Sequence, residues 1–269
     1  MTSCIFTVIK DEHEYLDEWI QYHLNLGINH IFIFEDIESE SHKDICIKYC
    51  DKVSLYSVDL LLKKINKQHF KNWFEQRQAI YNKEGIWWIK ENYNYDWCFY
   101  IDCDEYITLE NDNETLNKVL NKYCDYDVVI LNWQNYNANG YIKKPDYNQK
   151  CIIETYTQIC NKSIHDSIWK STKLMYKLTN LKKYYIRSTH LCSQLCKWCK
   201  TDYSQELHQF IYKNIYLRHY ITKSWEEYVW KLKNRGMFFP KHRNYNEFFE
   251  MNQDMKYIKE ELINKYINN

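Results

Sequence analysis

The chain has 269 residues, enough to bury a sizeable core and suited to one α/β domain with a helical extension. Lys plus Arg and Asp plus Glu each number 36, so no excess of positive charge points to nucleic acid as a partner. Eleven scattered cysteines in so long a chain read as reduced thiols, and no apolar run approaches the ~18 residues of a membrane span, so a soluble cytoplasmic protein is expected.

In chain order, residues 5–9 (IFTVI) read as a first buried strand, followed at once by Lys10, Asp11 and Glu12. Residues 12–26 place Leu16, Trp19, Ile20 and Leu24 at helical spacing, with Gly27 where a C-terminal cap belongs. Residues 30–34 (HIFIF) give a second strand ending in Glu35 and Asp36, residues 52–58 a third, and residues 73–92 a long helix. Then comes WCFYIDCDE, residues 97–105, read as a strand buried on both faces that ends in Asp102, Asp104 and Glu105. This alternation predicts a parallel, doubly wound sheet.

Beyond it the helical crossovers vanish. A short helix at 114–123 precedes expected strands at 128–133, 151–159, 170–178, 183–189 and 214–220, some antiparallel, that extend the sheet. The lysines between Lys170 and Lys183 read as a solvated face. Ser224 and Glu227 form an S-x-x-E capping box for a helix that Gly236 can end, leaving Lys223, Lys231 and Arg235 for solvent or an anion. A final helix from residue 246 packs on the rest, which divides the chain into a domain at 1–240 and an extension at 241–269.

Polar residues thus fall at three strand ends: Lys10 with Glu12, Glu35 with Asp36, and Asp102 with Asp104. Parallel strands bring all three to the carboxyl edge, where open α/β sheets bind ligands. Side chains two apart on a strand point the same way, so Asp102 and Asp104 are expected to share one hard cation, Mg²⁺ or Mn²⁺. Its other ligands would be water and substrate phosphate, which suits a nucleotide diphosphate. The plainer reading of each strand end is a solvated turn. His190, Cys192, Cys196 and Cys199 suggest zinc less well than a buried helix face, because the cysteines fall at i, i+4 and i+7.

Three stretches resemble one family. KDEHEYLDEWIQYHLNLGINHIFIFED is similar to the opening of the glycosyltransferase family 2-like and family 92 enzymes, where a Lys-Asn-Glu motif starts a helix ending in Leu-Gly-x-x-His. WCFYIDCDEYI resembles their Trp-x-x-x-x-Asp-x-Asp-Glu-Phe strand, and RHYITKSWEEYVWKLKNRG their closing His-Tyr-x-x-Lys-Ser, Glu, Lys, Arg-Gly signature. The matches keep family order across most of the chain. The resemblance implies a GT-A fold: Rossmann-like α/β, a mainly parallel central sheet with helices on both faces, later antiparallel strands and C-terminal helices. It also implies a metal-dependent transferase that moves a sugar from a nucleotide-sugar donor, a UDP-sugar in the first place, to a glycan, lipid-linked or protein acceptor with inversion.

Residue by residue, the resemblance assigns Lys10 and Glu12 to the nucleotide, with Asp11 where Asn is usual. Glu35 and Asp36 fall near base and ribose, although the following IESES departs from the usual Asn-x-Ser-x-Asp. Asp104 would bind the metal, Asp102 would assist through ribose or water, His219 would complete the metal shell, and Lys223 would face the diphosphate. Direct displacement also needs a general base, for which Asp202, Glu206 and Asp166 are candidates. Two other readings stay open. One is a sugar nucleotidyltransferase, against which the absence of glycine between Lys10 and Tyr15 counts. The other is a non-catalytic module that binds glycans or a partner through its 26 tyrosines and 10 tryptophans.

Overall fold

The computed structural model describes residues 1–36, 38–66, 77–160, 172–186, 192, 197–200, 203–204, 209–210, 214–234 and 245–266. The first half alternates as expected: β1 (Ser3–Ile9), α1 (His13–Leu26), β2 (His30–Glu35), a short α2 (Lys43–Cys46), β3 (Val53–Ser57), α3 (Asp59–Lys64), α4 (Arg77–Asn92) and β4 (Trp97–Tyr100). It continues through β5 (Glu105–Leu109), α5 (Leu116–Asn121), β6 (Val128–Asn135), α6 (Ile152–Thr155) and β7 (Thr172–Lys177). Short strands β8 (Trp198–Lys200), β9 (Tyr203–Ser204) and β10 (Gln209–Phe210) precede β11 (Ile215–His219), α7 (Trp225–Asn234), α8 (Tyr245–Met251) and α9 (Lys259–Tyr266).

Among the described residues the main sheet runs β3-β2-β1-β4-β7-β6-β11-β5, with β8 also on β6. The first four strands are parallel; β7 then runs antiparallel to both β4 and β6, and β5 antiparallel to β11. Continuous apolar strands need cover on both faces, and strand alternation divides theirs between two cores. Ile5, Ile31, Ile33 and Phe99 face Leu16, Trp19 and Ile20 of α1, whereas Phe6, Phe32, Phe34 and Tyr100 face Leu61 and Leu62 of α3 and Ile86 and Ile89 of α4. Gly85 lets α4 come this close: a Cβ there would lie 2.2 Å from the buried Phe6 ring. Gly27 ends α1 with φ 109, the left-handed conformation expected of it.

At the end of α1, buried His23 donates from Nδ1 to the Trp19 carbonyl (2.8 Å) and accepts at Nε2 from the Ile107 N–H (3.1 Å). Protonation would set one N–H against another, and burial lowers the pKa to about 3. The folded value lies below the unfolded ~6.5, so this contribution is complete above that pH and is lost as pH falls toward 3. Between pH 6 and 4 the unfolding free energy of wild type is expected to fall more steeply than that of His23→Gln, by up to about 1.4 kcal/mol per pH unit. Denaturant titrations at several pH values measure the two slopes.

Four expectations are corrected. The strand expected at 97–105 stops at Tyr100; Glu105 opens a separate strand, β5, which crosses to β11 at the far edge. Asp102 and Asp104 therefore lie in a turn, where side-chain alternation does not apply. Residues 152–155 form α6 in place of a strand: the Glu18 carboxylate accepts from the Ile152 N–H (2.8 Å), and Ile159 makes an isolated bridge to Tyr136, just past the end of β6. Residues 183–185 form a 3₁₀ turn, since Tyr185 and Ile186 drop into the core beside α4. Cys199 lies in β8 and Cys192 bridges to Ile186, so no single helix face carries the cysteines; His190 and Cys196 lie outside the described residues.

The last helix is broken into α8, a 3₁₀ turn over Gln253–Ile258, and α9. Phe248, Phe249, Met255 and Leu262 of this segment pack on Trp225, Tyr228, Val229 and Leu232 of α7. Among the described residues no helix is long and apolar enough to cross a membrane.

Candidate active site

The parallel half of the sheet delivers the ends of β1, β2 and β4 to one edge. After β1 the chain turns through Asp11 at φ 55, and Lys10 lies 4.0 Å from Asp36 and 2.8 Å from Glu38 at the end of β2. Glu35 turns toward His42 instead, accepting from its backbone N–H (2.6 Å) and its Nδ1 (2.8 Å). His42 Nε2 in turn accepts from the Glu12 N–H (3.0 Å), so a buried imidazole, held neutral by burial, ties the end of β2 to the start of α1. Nothing in the sequence pattern marked His42.

The acidic turn after β4 points its carboxylates apart. Asp102 Oδ2 lies 2.7 Å from Lys173 Nζ, while Asp104 Oδ2 lies 2.6 Å from Lys231 Nζ and its Oδ1 3.8 Å from His219 Nε2. Lys173 is 1% exposed on β7, which overturns its reading as part of a solvated face. Its ammonium lies 3.8 Å from Glu105 and 4.7 Å from the centre of the Tyr100 ring. Burial disfavours its charge, but Asp102 and Glu105 raise the pKa above the ordinary lysine value. Burial also raises Glu105 well above the carboxylate range, against the pull of Lys173. For Asp104, burial is opposed by Lys231, His219 and Lys223, which together hold the carboxyl well below its usual value.

His219 ends β11, adjacent to Asn135 in the parallel register with β6. Its Nδ1 donates to Asn135 Oδ1 (3.0 Å), which leaves the Nε2 lone pair on the side of the Asp104 carboxylate. Two buried acceptors thus face each other across 3.8 Å, with the imidazole oriented by the Asn135 amide. That donor pair fits a divalent cation, and an outer hydrogen bond of this kind is how proteins orient a ligating histidine. No group of three or more His, Cys, Asp or Glu donors is assembled among the described residues; a hard cation held by one or two carboxylates usually takes further ligands from water and phosphate oxygens.

Beside this turn opens a cleft of ≈ 560 Å³ whose lining includes Asp11, Tyr15, Thr222, Lys223, Trp230 and Lys231. Lys223 has φ 49, a left-handed conformation costly for lysine, and holds its ammonium 3.4 Å from the centre of the Tyr15 ring. Asp11 and Lys223, two residues in that region of backbone space, therefore line the same cleft. The capping box forms as read: Ser224 and Glu227 exchange hydrogen bonds, and Glu227 also accepts from Tyr147 (2.7 Å) and Tyr156 (3.0 Å). These bonds anchor α7, which carries Lys231 to Asp104. The base candidates Asp166, Asp202 and Glu206, with Arg235 and Gly236, lie outside the described residues.

The description of glycosyltransferase family 92 matches residues 1–266. The chain belongs to glycosyltransferase family 92. It is a transferase of that family, and the motifs read from its sequence fall at the carboxyl edge just described. No curated protein matches the chain. Among solved structures it is similar to HddC from Yersinia pseudotuberculosis (12% identity, TM-score 0.45, 89% of this chain and 100% of that one) and to S. aureus TarS 1-349 (12%, 0.45, 99% and 75%). It is similar also to glucosyl-3-phosphoglycerate synthase from Mycobacterium tuberculosis, crystallised with Mn²⁺, UDP and phosphoglyceric acid (14%, 0.32, 52% and 44%). These likenesses are of low degree; the family match alone decides membership.

Proposed function

We propose that this family 92 member transfers a sugar from a nucleotide-diphosphate donor to an acceptor hydroxyl, with a divalent cation, Mn²⁺ or Mg²⁺, held by Asp104 and His219. The observation that carries the reading is the pair of buried acceptors, Asp104 Oδ1 and His219 Nε2, 3.8 Å apart at the carboxyl edge with His219 oriented by Asn135. A bound cation would neutralise charge growing on the departing diphosphate. Lys231 and Lys223 border the same cleft and add positive charge to it. Lys10 and Asp36 serve the nucleotide, as do Glu12 and Glu35 through the backbone that His42 joins. Asp102 orients the donor ribose while Lys173 fixes its carboxylate.

The acceptor, a glycan, glycolipid or glycoprotein sugar, enters along the cleft wall that Trp230 forms, with 44% of that residue exposed. Displacement proceeds with inversion, and the proton of the acceptor hydroxyl passes to Asp202 or Glu206.

The test is a thermal-shift panel of nucleotide diphosphates and nucleotide sugars, with and without Mn²⁺, on wild type and Asp104→Ala. A ligand at about one hundred times its dissociation constant adds about 2.7 kcal/mol, so the matching nucleotide is expected to raise Tm in wild type with metal and not in the variant. Absence of a shift with every donor would refute the donor site. Release of pyrophosphate from a nucleoside triphosphate and a sugar phosphate would replace it with nucleotidyl transfer.

A further inference from the structure

The two carboxylates of the acidic turn are each held by a lysine, and the two lysines differ in kind. Lys173 is the second residue of β7, with 2% of its side chain exposed, packed between Asp102, Glu105 and the Tyr100 ring. It cannot leave without moving a central strand. Lys231 stands on α7 with 19% of its side chain exposed, lines the open cleft, and reaches Asp104 from that side with a flexible four-carbon stem.

We propose that Lys231 is a displaceable occupant of the cation site. Without donor its ammonium neutralises Asp104 and holds off a divalent ion. When a diphosphate enters the cleft the ammonium moves from the carboxylate to the phosphate oxygens, and Asp104 becomes available to metal. The inference rests on the donor-site reading above. Its physical basis is crowding of like charge: the Lys231 ammonium already lies 2.6 Å from the buried Asp104 carboxylate, and Lys223 lines the same cleft. A further divalent charge is favourable only if one of these withdraws, and Lys231 is the one with an open path. A diphosphate carries more negative charge than the carboxylate and accepts the ammonium in exchange. Metal and diphosphate then strengthen each other's binding by the same factor, as linkage requires. Lys231 is in this sense a positioning residue that orders the two events.

The experiment titrates Mn²⁺ alone into the full chain, following free Mn²⁺ by electron paramagnetic resonance, and repeats it with UDP after correction for Mn²⁺ that free UDP binds. Lys231→Met is expected to bind Mn²⁺ alone at least tenfold more tightly than wild type, while Lys231→Arg, which keeps the charge, matches wild type. Lys144→Met, which removes a cleft lysine paired with Glu14, leaves Mn²⁺ affinity unchanged. UDP raises Mn²⁺ affinity at least tenfold in wild type and much less in Lys231→Met. The proposal is overturned if Lys231→Met binds Mn²⁺ alone no more tightly than wild type, or if Lys144→Met tightens it equally. Should Asp104→Ala bind Mn²⁺ with UDP as wild type does, the donor-site reading itself fails, a result distinct from either of those.

Discussion

Replacing Asp104 by Asn is expected to lower sugar transfer by about 10³-fold or more, with little recovery at high Mn²⁺. Stabilisation of a departing diphosphate by a divalent ion is worth several kcal/mol, and each ~1.4 kcal/mol is a factor of ten in rate. Asn keeps the shape and an oxygen for Lys231 but removes the charge that a cation needs opposite His219. The loss of transfer is expected to exceed whatever stability the Lys231 pair loses. Initial rates with the donor found by thermal shift, alongside urea denaturation of the same preparation, separate the two. An Asp104→Asn enzyme within tenfold of wild type would show that the carboxylate has no part in transfer.

The largest effect on stability is expected away from the cation, at Lys173. Lys173→Met removes the partner of Asp102 and the ammonium beside Glu105 and Tyr100. Breaking a buried ion pair from one side costs roughly 3–5 kcal/mol. Asp102 keeps 34% of its side chain exposed, so the lower end, about 3 kcal/mol, is expected from urea denaturation at neutral pH. Glu105→Gln provides the contrast. Burial raises the Glu105 pKa and favours its neutral acid, and Oε2 already accepts from the Asp102 N–H (2.8 Å). A near-isosteric amide keeps that bond, and a loss under about 1 kcal/mol is expected. If both variants lose the same amount, the turn is held by packing rather than by charge.

Much of the fold was legible because its signals are local. Apolar-rich segments in β1 and β2, helical spacing in α1, and Gly27 at its end each report on neighbours in the chain. The capping box at Ser224 is as local as any, and it forms as read. Errors fall where partners are distant. Residues 151–159 have strand-forming composition, yet β6 is already paired with β7, β8 and β11, so the segment finds its hydrogen bonds in α6 and at Glu18. The run through Asp104 looked like one strand because a turn without Gly or Pro gives no local mark.

By itself the sequence determined which chemistry is present: acids at the end of an aromatic strand, a late histidine, lysines around a capped helix, and motifs in the order of glycosyltransferase family 92. Only the tertiary structure decided how those groups pair. Asp102 and Asp104, two positions apart, go to different lysines because the chain turns between them, and each lysine comes from more than sixty residues away. Asn135 meets His219 through strand register, and His42 meets Glu12 through the packing of α2 on α1. Residue type sets the charge and the hydrogen-bonding groups. Their partners depend on which strands share an edge, and that is settled by long-range burial that local spacing does not encode.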